Sequence, residues 1–202
     1  MDKILSHFKS SDPLIFEILK NVNLDNWIGG EVLPDKYFVA LCRGIVGQQL
    51  SKKAAAAIYK KFLTLFNSNK SNINPENILK FSDQSLRDVG LSWAKVSYIK
   101  DLAQKVQNCE VFLNDLHKLS EEDVTKELTL IKGIGTWTSE MFLMFTLKRP
   151  NIFSFKDLGL KNGIEKVYGI KNPTASQISE IIKKWEPYKT FGSIALWQSL
   201  EK

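Results

Sequence analysis

Apolar side chains recur every three or four positions along nearly the whole chain, the spacing of one face of an α-helix. "DPLIFEILKNV" keeps this rhythm, with Asp12 where a capping side chain would stand and Pro13 at a first-turn position. "KYFVALCRGIVGQQLS" and "KKAAAAIYKKFLTLF" read as two helices joined near Gly47 to Ser51. "NPENILKF", "SDQSLRDVG" and "AKVSYIKDLAQKVQ" each follow a turn or capping signal. In "SEEDVTKEL", Ser120 precedes Asp123 in the manner of a capping box. "LGLKNGIEKVYG", "TASQISEIIKKW" and "YKTFGSIALWQSL" complete the series, while "NSNKSNINP" and "NPTAS" read as surface loops. No strand pair, heptad run or fixed-period repeat interrupts it. The pattern predicts an all-α protein of about ten short helices.

Composition adds bounds to this picture. The chain has 202 residues, 44% hydrophobic and 25% charged, enough for one domain, built as two lobes, with a buried core. No apolar run is long enough to span a membrane. The opening "MDKILSHFKSSDPLIF" lacks the apolar core and cleavage site of a signal peptide. Cys42 and Cys109 stand far apart, making neither a disulfide framework nor a zinc or iron–sulfur ligand set, and a reducing, cytoplasmic location is expected. The net charge is +6, unevenly spread: residues 1–35 carry six acids against three lysines, a net of −3, which leaves +9 for the rest. A basic body behind an acidic leader fits a polyanion such as nucleic acid, although many basic proteins bind none.

One segment breaks the helical rhythm. In "LTLIKGIGTWTS", Gly133 and Gly135 flank Ile134 and would end one helix and begin another at about Thr136. Backbone N–H groups at such a turn and helix start can receive an anion, helped by the helix dipole and by Lys132 beside them. Ile134 would pin the turn to the core. An ordinary helical hairpin with a glycine cap accounts for the same glycines. Asp157, 22 positions after Gly135, stands alone in "FSFKDLGLKNG", and by itself reads as the N-cap of the next helix.

The surrounding residues carry a resemblance. "LTLIKGIGTWTSEMFL" resembles the helix-hairpin-helix of the DNA glycosylase superfamily named for that hairpin and a following Gly/Pro-rich loop and aspartate. "DPLIFEIL", "RGIVGQQLSKKAA", "GLSWAKVSYIKDLA" and "WEPYKTFGSIALW" resemble, in order, further segments of one branch, the 3-methyladenine DNA glycosylase II family, over roughly residues 10–200. The resemblance implies an all-α fold of two helical lobes with a DNA-binding cleft: lobe A at about 1–35 plus 148–202, and lobe B at about 36–147 with the hairpin at 124–147, together one domain over 1–202. The chain is short for the extra β domain of larger relatives and resembles the compact form.

The same resemblance implies roles. Asp157 matches the catalytic aspartate, whose carboxylate would stabilise the oxocarbenium character that builds on the sugar and orient the attacking water. This is compatible with helix capping, because a helix N-terminus favours a negative charge. Lys156 before it departs from the small or acidic residue common in relatives. Strand-cutting relatives keep a Schiff-base lysine where this chain has Trp137, which implies base release alone. Trp137, Tyr188, Met141 and Trp27 are the base-pocket candidates; core packing is the competing reading for Trp137 and Trp27, and Met141 replaces an aromatic. Lys132, Gly133, Ile134, Gly135, Thr138, Gln48, Gln49, Ser51, Trp93 and Lys95 are the DNA-binding candidates. Trp93 falls where the branch places its helix-filling wedge, with a partly buried helix-capping tryptophan as the alternative. Lys52, Lys53, Lys60 and Lys61 rank behind Lys95 and Lys132 as phosphate contacts. No side-chain metal site, cofactor or iron–sulfur cluster is expected. A sodium or potassium ion on the main-chain carbonyls of Thr129, Ile131 and Ile134 is compatible with the family.

These features imply a monomeric, monofunctional DNA glycosylase. It would act on double-stranded DNA, flip out alkylated purines such as 3-methyladenine or 7-methylguanine, and hydrolyse their bond to deoxyribose. Two alternatives stay open: a non-catalytic helix-hairpin-helix DNA-binding protein, and a glycosylase for deaminated or oxidised bases.

Overall fold

The computed structural model describes residues 2–24, 27, 30 and 32–201; Asp25 and Glu31, two acids of the leader, lie outside the described residues. Those described form α-helices, short 3-10 turns and loops, with no strand among them. The first helices are α1 (Asp2–Ser11), α2 (Pro13–Leu19), α3 (Tyr37–Gly47), α4 (Lys52–Thr64), α5 (Pro75–Lys80) and α6 (Asp83–Asp88). There follow α7 (Trp93–Gln107), α8 (Glu121–Thr129), α9 (Thr136–Phe145), α10 (Leu158–Tyr168), α11 (Ala175–Lys183) and α12 (Lys189–Leu200).

Capping side chains set many of these starts. Asp12, Ser51, Asn74, Ser82, Ser92, Ser120, Asp157 and Thr174 each accept a hydrogen bond from an N–H of the following turn. Ser120 differs from the expected box: its hydroxyl takes the Asp123 N–H and donates to the Asp123 carboxylate, so the two side chains pair with each other. The reciprocal arrangement forms at Thr174 and Gln177 instead. Helix α1 was not among the elements expected from the sequence, although Ile4, Leu5 and Phe8 stand at helical spacing; all three pack on the core, with Phe8 fully buried against Trp185 at 6.5 Å.

The chain divides into two compact units, one of Met1–Glu31 with Leu143–Lys202 and the other of Val32–Phe142. The second division falls inside α9, earlier than the 147/148 position read from the sequence, because Phe145 packs on the core of the first unit. In that unit α2, α10, α11 and α12 bury Ile15, Leu19, Leu160, Ile164, Ile181, Ile182, Ile194 and Leu196 around Trp185. Helices α10 and α12 lie close: a Cβ on Gly163 would stand 2.7 Å from Leu196 Cβ. In the other unit α3 buries Leu41, Cys42, Ile45 and Val46, and α7 buries Val96, Ile99, Leu102 and Ala103. Burial pushes the Cys42 thiol well above its usual range, and both cysteines are free.

Asp12 is the buried polar centre of the first unit, 4% exposed. Its carboxyl group accepts the Ile15 N–H at 3.3 Å, the Tyr168 hydroxyl at 2.5 Å and the Trp185 indole N–H at 2.9 Å. Burial first, then the Asp12 carboxylate, pushes the Tyr168 phenol well above the usual tyrosine range. Asp12→Ala should lower the unfolding free energy by on the order of 3 kcal/mol, since it strands two buried donors. A phenol raised in the folded state gives stability that is complete below its unfolded value of about 10 and is lost as pH rises through the folded value. Chemical denaturation at about pH 9 and about pH 11 should therefore show wild type losing more stability than Tyr168→Phe. Equal losses would remove this role from Tyr168.

Candidate functional site

The turn between α8 and α9 is built by side chains from elsewhere in its own unit. Gly133 has φ +79, the left-handed region, and lies on the Tyr98 ring of α7 so closely that a Cβ would come within 2.2 Å of Tyr98 Cδ2. The Lys132 N–H donates to Asp101 Oδ2 at 2.7 Å. Gln48, at the end of α3, donates its amide to the Gly133 carbonyl at 3.0 Å and to the Thr138 hydroxyl at 3.2 Å. Ile134 is buried, and its N–H bonds the Ile131 carbonyl. Gly135 is different. It is exposed, and a Cβ there would meet nothing within 4 Å, so nothing in the protein requires a glycine.

The sequence candidates divide around this turn. Gln48, Gly133, Thr138 and Lys132 meet there. Gln49 is exposed with φ 55, and Ser51 caps α4 through the Ala54 N–H. The Lys95 ammonium donates to the Val46 carbonyl at 2.8 Å, at the end of α3, and partial burial lowers its pKa. Trp93, at the first position of α7, is 58% exposed rather than tucked against the helix start, with the Arg87 guanidinium 5.0 Å from its ring centre. It lines a groove of about 430 Å³ with Ser97, Asp101 and Lys132. Trp137 is 39% exposed on α9, one turn before half-buried Met141. The lysines of α4 (Lys52, Lys53, Lys60 and Lys61) are exposed.

Asp157 is described within the other unit. It caps α10, and its Oδ1 accepts the Leu160 N–H at 2.8 Å and the Trp197 indole N–H at 3.1 Å. Gly159 leaves room for this contact: a Cβ there would stand 3.0 Å from Asp157 Oδ1 and 3.1 Å from Trp197 Nε1. Trp197 stacks on Trp27 with centroids 5.9 Å apart and planes at 5°, and Phe145 lies 5.8 Å from Trp197. A half-buried carboxylate thus sits at the edge of a three-ring aromatic cluster, between exposed Lys156 and Leu158. Trp197 and Phe145 were not singled out from the sequence. Trp197 is 40 positions from Asp157, and no spacing rule links them; only the closeness of α10 and α12 does.

Tyr188 falls elsewhere. It precedes α12 at the end away from Trp197, about 13 Å along the axis. Its ring packs on His7 at 5.2 Å and Phe191 at 6.0 Å, and it lines a separate groove with Lys3, Ser6 and Pro187. Among the described residues no three His, Cys, Asp or Glu side chains are grouped to hold a metal ion.

The HhH-GPD superfamily base excision DNA repair proteins match residues 42–187 of the chain. The Bacillus subtilis protein YfjP is 32% identical over 207 residues, covering all of this chain and 70% of that one. A DNA-3-methyladenine glycosidase from Bacillus halodurans superposes with a TM-score of 0.77 at 31% identity, over 97% of this chain and 88% of that one. The Schizosaccharomyces pombe 3-methyladenine DNA glycosylase Mag1, solved with abasic DNA, gives 0.81 at 26% identity, over 99% of this chain and 97% of that one.

The two glycines of the turn should separate in experiment. Gly133→Ala should cost at least the ~1–2 kcal/mol of left-handed strain, with more from displacing Tyr98, whereas Gly135→Ala should change stability by less than about 0.5 kcal/mol. Thermal melts of the two variants check this, and equal losses would refute the division.

Proposed function

Because the chain belongs to the HhH-GPD superfamily of base excision DNA repair proteins, we propose that it is a monofunctional DNA glycosylase that hydrolyses the bond between an alkylated purine and deoxyribose. One observation carries this reading: the Asp157 carboxylate, held by a helix N–H and the Trp197 indole, stands beside the stacked Trp27 and Trp197 rings and the tilted Phe145 ring. A purine alkylated on a ring nitrogen is already cationic and leaves without a dedicated general acid. The carboxylate then has two tasks, to stabilise positive charge on the sugar and to hold the attacking water. Electron-rich rings favour a cationic base over a neutral one. Water is the only co-reactant, so the reaction draws on no cofactor.

The turn supplies the grip on duplex DNA. Gly135 leaves its backbone bare at an open surface, Lys132 is exposed beside it, and the start of α9 points its dipole outward. Trp93 is exposed enough to enter the stack when a nucleotide is extruded. Trp137, in place of a lysine, gives no amine for a Schiff base, so the product is an intact abasic strand.

Base release from methylated duplex DNA, with products identified by mass, tests the catalytic assignment. Asp157→Asn removes charge and little shape; it should slow release by about 100-fold or more while binding to an abasic duplex persists. Near wild-type release would overturn the assignment. Trp197→Phe should lower the single-turnover rate by about tenfold without weakening binding, since one donor to the carboxylate is lost. Intact binding without release by wild type would favour another lesion or a binding-only protein.

Lys132→Ala should weaken binding to all sequences alike and reduce the salt slope by about one. Fluorescence anisotropy titrations at several salt concentrations check this, and a sequence-dependent loss would remove the phosphate role.

A further inference from the structure

The hairpin turn is held by an acid, which is unexpected on a surface that meets a polyanion. Asp101, on α7, accepts the Lys132 N–H at 2.7 Å, one turn of helix beyond the Tyr98 ring on which Gly133 lies. Gln48 takes the Gly133 carbonyl from the other side. Three side chains from α3 and α7 therefore fix the residues that lead into Gly135 and the start of α9. Of the three, only Asp101 brings a charge. It shares its groove with the Lys132 side chain, Lys100, Asp83 and Trp93. Lys100 is committed to the Leu79 and Phe81 carbonyls, with Asp83 3.8 Å away.

We propose that Asp101 is a positioning residue for the DNA-binding turn, whose carboxylate fixes the backbone at Lys132 while its charge holds duplex affinity below what the same geometry allows. This rests on the reading of the turn as a DNA grip. The two effects act through different properties of one side chain. The acceptor oxygen orders the turn before DNA arrives, so less ordering remains to be done on binding. The negative charge opposes the phosphates that this turn meets, and this opposition is screened by salt. An enzyme that must leave undamaged DNA gains turnover from such a restraint.

Asparagine keeps an acceptor and drops the charge; alanine drops both. Binding of wild type, Asp101→Asn and Asp101→Ala to an abasic duplex should be measured across salt concentrations, beside single-turnover base release at saturating protein. Asp101→Ala should bind about three- to tenfold more weakly, with the saturating rate unchanged. Asp101→Asn should bind about two- to fivefold more tightly than wild type, and its advantage should grow as salt is lowered; wild-type binding by this variant at every salt concentration would overturn the charge effect. Amide exchange at Lys132 in the free protein should quicken in the alanine variant and stay slow in the asparagine variant, a readout independent of DNA. Equal weakening of both variants, wild-type binding by both, or a fall in the saturating rate that tracks melting temperature would overturn the proposal. Wild type that binds no duplex would overturn the DNA reading as well; wild type that binds, with variants indistinguishable from it, would overturn this inference alone.

Discussion

The carboxyl group of Asp12 is the contact around which one whole unit is arranged. A polar group at 4% exposure is tolerable only when its lone pairs are occupied, and here the partners come from three places: the first turn of α2, the last residue of α10 and the second residue beyond α11. The N-terminal helices thereby join a core most of whose other members lie more than 130 residues later in the chain. The consequence reaches the chemistry. Helix α10 is anchored at its far end by Tyr168 on Asp12 and at its near end by Asp157 on Trp197. The proposed catalytic carboxylate is the cap of a helix that cannot easily slide or roll, the kind of rigid support a preorganised charge requires.

The hairpin follows the same logic with different groups. The turn closes on itself through the Ile134 N–H and the Ile131 carbonyl. Its Lys132 N–H and Gly133 carbonyl are met from outside, by Asp101 and Gln48, and its one left-handed residue is seated on Tyr98. Gly133 and Gly135 look equivalent in the motif and are not. The first is required by the protein's own backbone and packing. The second is compatible with any small residue as far as the fold is concerned.

Asp157 illustrates why structural and chemical readings of a residue need not compete. It does cap α10, as a bare reading of the sequence says it should, and the same position gives a carboxylate two hydrogen bonds and an aromatic neighbourhood. Lys95, placed among the phosphate contacts from the sequence, donates one of its three ammonium hydrogens to the Val46 carbonyl at the end of α3. A lysine's charge is legible in sequence; where its four-carbon stem takes that charge is not.

By itself the sequence determined the all-α class, most helix boundaries, the break at Gly133 to Gly135 and the isolation of Asp157. These features are written in periodicity, capping residues and glycine placement, all of which act over a few neighbouring residues. Its ordered motifs also determined the family. The tertiary structure alone decided that Trp197 and Phe145 stand with Trp27 beside Asp157 while Tyr188 does not, and that Asp101 and Gln48 complete the turn. Each of these joins residues tens of positions apart. Such contacts depend on how closely two helices approach, here on the room left by Gly159 and Gly163, and a local pattern of apolar and polar residues carries no measure of that distance.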